Sequence, residues 1–162
     1  MDDPEQLFTR AAAYVVCFDA DGRLLLTQFW RDDNPNRGQW GLPGGGMEWG
    51  ETPAQTARRE FREETGLEVD LGRLLTVHNS WFEPDPARSR PAHAVRIIFE
   101  GTTPGGELRT DFTDDDTTIA AAWFTADEVA GLRKSVAVGV AVSALDPCCL
   151  LYTSDAADEW LR

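Results

Sequence analysis

Apolar residues fall into short runs along most of the chain and take a helical spacing in one long stretch. Residues 11–18 (AAAYVVCF) and 23–30 (RLLLTQFW) are two such runs, and Asp19-Ala20-Asp21-Gly22 between them has the composition of a tight turn. The pattern predicts two strands joined in a hairpin-like way. A shorter apolar run begins at Trp40 and ends in a glycine-rich bend, Gly41 to Gly46. Residues 53–65 then carry the marks of a helix: Thr52 as N-cap, Pro53 at the first helical position, Gln55 to complete a capping box, and Gly66 just past the end. On that helix Ala54, Ala57 and Phe61 share an apolar face. Further strands are predicted over 73–82, 94–100 and 119–124, a helix starts over 126–132, and the apolar run 136–145 reads as a last helix. Strands flanking a helix in this order suit an α/β sandwich with a mixed sheet. Internal repeats are absent from the sequence.

The predicted helix is more acidic than its packing requires. Glu60, Glu63 and Glu64 stand at i, i+3 and i+4, so three carboxylates crowd one side. Like charges at that spacing cost a few tenths of a kcal/mol per pair in water, and more when partly desolvated. A hard divalent cation with oxygen ligands would offset that cost; the alternative is a merely solvated acidic face. Glu51 and Arg59 lie eight positions apart, from just before the helix cap to the second turn. An ion pair between them would brace the loop against the helix. The glycines at 44, 45 and 46 let backbone approach a ligand closely, or form a simple turn.

Read as one pattern, these positions are Gly45, five residues, Glu51, seven residues, then Arg59, Glu60, Phe61, one residue, Glu63, Glu64, one residue, Gly66 and Leu67. With average residue usage a chance match of all nine is a roughly one-in-ten-million event. The segment resembles the signature of the Nudix hydrolases. That resemblance implies an α/β/α sandwich with a mixed sheet, and a metal held by the carbonyl of Gly45 with Glu60 and Glu64, joined in some members by Glu63. It gives Glu51 and Arg59 orienting roles. A further acidic residue often comes from a loop like that over 105–118, where Asp114, Asp115 and Asp116 stand; Asp116 is the position carried forward as ligand or base, with a solvated acidic run as the alternative. The implied cofactor is Mg2+, with Mn2+ as the alternative ion. The implied activity is cleavage of a nucleoside diphosphate linked to another moiety. The run 40–51 most resembles the nucleoside-triphosphate hydrolases, which favours a (d)NTP cut to NMP and pyrophosphate over ADP-ribose or a nucleotide sugar. A rival of another class is a ligand-binding module of the same fold without catalysis. Trp40 and Trp81 are the expected base-stacking residues among a set that includes Phe29, Trp30 and Phe82, core packing being the alternative for each.

Composition limits the partners. With 162 residues, 42% hydrophobic, the chain has the length for one domain, expected over 1–147. A net charge of -13 argues against a nucleic acid polymer or an anionic membrane surface, and makes a small-molecule nucleotide dependent on cations at the site. A polar acidic start and the lack of any run of about 18 apolar residues lead to an expectation of a cytoplasmic protein. Cys17, Cys148 and Cys149 form no disulfide framework. His78 and His93 receive no catalytic role. Residues 83–91 form a proline-rich loop, either a flap or a plain surface loop. Residues 149–159, CLLYTSDAADE, resemble a translated sequencing-library adapter, so 148–162 are expected to be a non-native tail, the alternative being a genuine acidic one. Oligomeric state is left open.

Overall fold

The structure is a computed structural model that describes residues 8–30, 37–82, 91–113 and 116–145. The segment 83–90, Asp114, Asp115 and the expected tail lie outside the described residues. In chain order the elements are β1 (Phe8–Cys17), β2 (Leu24–Phe29), β3 (Trp40–Gly41), β4 (Gly44–Gly46), α1 (Pro53–Thr65), β5 (Asp70–Phe82), β6 (Ala92–Thr102), β7 (Thr118–Phe124), α2 (Ala126–Gly131) and α3 (Val136–Ala144).

Two sheets form the middle layer. One has the order β4-β1-β6-β5 and the other β3-β2-β7. The first is mixed: β1 runs parallel to β6, in register from Phe8 opposite Ala92 to Cys17 opposite Gly101, and antiparallel to β4. The second is antiparallel throughout. The expected α/β class with a mixed sheet is what is found. The expected hairpin is corrected. Its turn does form, with Asp19 Oδ1 accepting the Asp21 and Arg23 amides and Gly22 at φ 78°. Beyond a single bridge, Phe18 to Leu24, the two strands part into different sheets. Both edges of β1 are already taken, by β4 and β6, so β2 must find other partners.

Alternation along the strands explains the layering. From β1, Ala13, Val15 and Cys17 pack with Leu25, Ala57 and Phe61 on the α1 side. The intervening Tyr14, Val16 and Phe18 pack with Leu24, Leu26, Val129, Val138 and Ala141 on the side of α2 and α3. A period of two thus feeds two cores from one strand. Helix α1 has the bounds and caps that its sequence predicts: Thr52 Oγ1 accepts the Gln55 amide at 3.3 Å, Gln55 Oε1 accepts the Thr52 amide at 2.8 Å, and Gly66 closes the helix at φ 75°. Among the described residues no helix is long and apolar enough to cross a membrane.

Phe61 anchors α1 with no solvent exposure. Phe61→Ala is expected to lower unfolding stability by about 4 kcal/mol, through lost transfer energy and the cavity left behind. Urea denaturation of the two proteins measures this.

Candidate functional site

Helical geometry grades the three glutamates. At about 100° per residue, Glu64 points roughly 60° from Phe61, Glu60 roughly 100°, and Glu63 roughly 160°. Phe61 marks the direction of the core, so Glu64 must be the most buried and Glu63 the least. Glu64 is driven under the edge of both sheets. There it accepts the Gly44 amide of β4 at 3.0 Å, the Thr27 hydroxyl of β2 at 3.2 Å and the Thr118 hydroxyl of β7 at 2.8 Å. Burial nevertheless dominates and pushes its carboxyl up to about 7, with the charge of Glu60 adding to the effect and the three hydrogen bonds opposing it.

Glu60 lies against the glycine strand. A Cβ on Gly45 would stand 2.6 Å from the Glu60 carboxyl carbon, so any side chain there would displace that carboxylate. Gly44 is constrained more tightly, since at φ 147° its Cβ would meet the Ala13 carbonyl oxygen at 2.2 Å. Burial raises the Glu60 carboxyl above its ordinary value, while Arg59 pulls it back.

Arg59 is the brace that the sequence suggested. Its Nε and Nη2 grip the two oxygens of Glu51 at 2.6 and 2.8 Å, Nη1 reaches Glu60 at 2.8 Å, and Nη2 also donates to the Gly46 carbonyl at 3.2 Å. Glu51 accepts from the Glu48 amide and the Thr56 hydroxyl as well. The Arg59 fork, with those two donors, holds the Glu51 carboxyl down to about 2. One guanidinium therefore ties the loop, the helix and the glycine strand together.

These groups border a cavity of about 400 Å³. Glu60, Glu64 and the backbone of Gly44, Gly45 and Gly46 form one wall; Arg10, Tyr14 and Arg96 belong to another; Phe29 and Phe82 contribute apolar surface. Oxygen is the donor that the acidic wall offers, which fits a hard divalent cation such as Mg2+. Several of the expected residues do not line this cavity. Glu63 is 57% exposed and leans on Arg59 at 3.3 Å, away from the cavity. Among the described residues, no three His, Cys, Asp or Glu side chains gather as a metal-binding group. Asp116 accepts from Arg109 at 3.0 Å and from the Thr113 amide at 2.8 Å, so its carboxylate closes its own loop and does not line the cavity. Trp40 packs edge-on against Phe124 at 4.7 Å, and Trp81 stacks on His93 at 3.8 Å; neither borders the cavity. Sequence reasoning missed Thr27, Thr118, Tyr14, Arg10 and Arg96. Thr27 had a signal, as a lone hydroxyl closing an apolar strand run.

Comparison with known proteins shows the family and the fold. The NUDIX domain family model matches residues 8–141. An ADP-ribose pyrophosphatase of Methanocaldococcus jannaschii is 38% identical over 99 residues, covering 61% of this chain and 54% of that protein. The chain thus spans about half the length of that relative. A MutT-like protein of Streptomyces ambofaciens is 34% identical over 126 residues, 78% of this chain and 70% of its own. The solved structure of a MutT NUDIX hydrolase from Burkholderia pseudomallei superposes with a TM-score of 0.65 at 29% identity, over 85% of this chain and 98% of that one.

The buried Glu64 makes stability depend on pH in a defined sense. Its folded value, about 7, lies above its ordinary value of 4.5, so the unfolded chain releases the proton first. The contribution of Glu64 to the stability of the metal-free protein therefore falls as pH rises from 4.5 to about 7 and levels off above. Glu64→Gln cannot ionise. In chelator, the variant is expected to match the parent near pH 4.5 and to exceed it by up to roughly 3 kcal/mol at pH 8. Denaturant unfolding at the two pH values reads this difference.

Proposed function

This chain belongs to the NUDIX family of hydrolases acting on phosphorus-containing anhydrides, and from that premise we propose a Mg2+-dependent pyrophosphohydrolase that cuts a (d)NTP to NMP and pyrophosphate. The observation that carries the reading is the pairing of Glu60 and Glu64 on one cavity wall, against a strand of three glycines and beneath an arginine braced by Glu51. Glu60, Glu64 and the Gly45 backbone would hold the ion. A Mg2+ ion held there would supply charge neutralisation at the anhydride oxygens and acidify the attacking water.

The chain's own groups do the rest. Glu60 also faces the cavity, and a carboxylate oxygen there that is not engaged by the ion would take a proton from the attacking water. Water oxygen bonds to the α-phosphorus, the bridging bond breaks, and the electron pair leaves with pyrophosphate. Arg59 keeps Glu60 aimed, and Glu51 keeps Arg59 fixed. Glu63 lies within reach of Arg59 and acts through it. Phe29 and Phe82 supply apolar surface for a base, in preference to Trp40 or Trp81.

A second reading is hydrolysis of ADP-ribose or a nucleotide sugar, which the name of the 38% identical archaeal relative favours. Products separate the two. With Mg2+ and a panel of nucleotides, the expected outcome is pyrophosphate from a (d)NTP at a higher kcat/KM than that for ADP-ribose; an excess of ribose 5-phosphate from ADP-ribose overturns the choice.

Glu60→Gln and Glu64→Gln are each expected to lower turnover at least about a hundredfold, and Glu63→Gln about tenfold, with folding retained by circular dichroism. Chelator should abolish activity and Mg2+ restore it. Parent-like rates in both cavity variants would exclude the assigned wall.

A further inference from the structure

Across the glycine strand from Glu60, the cavity is lined by cations. Arg10, Ala12 and Tyr14 are alternate residues of β1 and share one face. Pairing sets Gly46 opposite Ala12 on one side and Arg96 opposite it on the other. Gly46 carries no side chain and Ala12 only a methyl, so that row is a low floor. Arg10, Tyr14 and Arg96 stand around it. The Arg10 guanidinium lies over Gly46, where a Cβ would come within 3.1 Å of Nε, and the Tyr14 ring lies over Gly44, at 2.7 Å from a Cβ there.

The bonding of these groups leaves donors to spare. Among the described residues the Arg10 guanidinium makes no hydrogen bond or close ion pair, and Glu60 lies within its electrostatic reach. Arg96 spends Nη1 on the Ser80 hydroxyl at 2.7 Å and rests 5.7 Å from the Phe82 ring centroid, which fixes its plane. Lys134, the third cation of the cavity, is committed to the Val129 and Ala130 carbonyls at 3.1 and 3.3 Å. The Tyr14 phenol is within electrostatic reach of Arg10, Arg96, Glu60 and Glu64 together. Two guanidiniums and a phenol around a bare floor suit a tetrahedral oxyanion, which takes several charge-assisted hydrogen bonds at once.

We propose that Arg10, Arg96 and the Tyr14 hydroxyl form a subsite for a terminal phosphate, an anionic group beyond the two phosphates of the cleaved anhydride. The inference rests on the nucleotide pyrophosphohydrolase reading and names what selects the substrate. A triphosphate fills both halves of the cavity. A diphosphate capped by a neutral sugar leaves Arg10 and Arg96 without a counter-charge.

The test is calorimetric binding, in Mg2+, of α,β-methylene-dATP and α,β-methylene-dADP, which differ only in the terminal phosphate. The parent is expected to prefer the triphosphate analogue by at least about tenfold, and Arg10→Met and Arg96→Met each to erase most of that preference while changing diphosphate affinity less than about twofold. Arg10→Lys should recover part of it. Melting curves of the variants confirm that they fold. Equal losses for both analogues, or no loss, overturn the subsite. If the parent hydrolyses dNTPs yet the arginine variants bind both analogues normally, the subsite fails and the function stands. If the binding preference follows the arginines but no nucleotide is hydrolysed, the function fails and the subsite stands. Binding of neither analogue overturns both.

Discussion

The carboxylate of Glu64 holds three elements in one arrangement. It enters from α1 and is met by an amide from β4 in one sheet and by hydroxyls from β2 and β7 in the other. Helix, mixed sheet and antiparallel sheet converge on a single side chain. That group is also unstable as an isolated anion, since burial outweighs its three donors. A site so built is stapled together by the same carboxyl that a bound cation would stabilise, so folding and ligand affinity draw on one interaction.

Three consecutive glycines make the arrangement geometrically feasible. On one face of β4 the Glu60 carboxylate touches Gly45; on the other, Tyr14 and Arg10 cover Gly44 and Gly46. A side chain at Gly44 would collide with the β1 backbone, and one at Gly45 would displace the Glu60 carboxylate. In a chain of net charge -13, the cavity combines two carboxylates with guanidiniums a strand's width away. An anion is therefore drawn to a cavity whose local charge differs from that of the whole molecule.

Local signals were legible in the sequence and long-range ones were not. The caps of α1 depend on residues within four positions of each other, and the helix has the bounds they predict. The pairing of Glu51 with Arg59 was readable because the helix start fixes their separation. The separate fates of β1 and β2 depend on β4 and β6, the latter some 80 residues further on, so the turn alone could not reveal them. Glu63 was grouped with its neighbours by spacing and by the resemblance of the whole segment. Its angle from Phe61 carried the needed information, since roughly 160° from the core direction leads to solvent. The partners of Asp116 and Trp40, Arg109 and Phe124, were not readable because tertiary packing chooses them. Thr27 and Thr118 gained importance only from the carboxylate that reaches them.

The central claim is that Glu60 and Glu64, backed by the glycine strand, are the cation site. Titration of Mn2+ followed by electron paramagnetic resonance, at pH 8 and without nucleotide, tests it most directly. The account predicts saturable binding by the parent protein, loss of at least about tenfold in affinity in both Glu60→Gln and Glu64→Gln, and a smaller change in Glu63→Gln. Parent-like Mn2+ affinity in the Glu60 and Glu64 variants would contradict it.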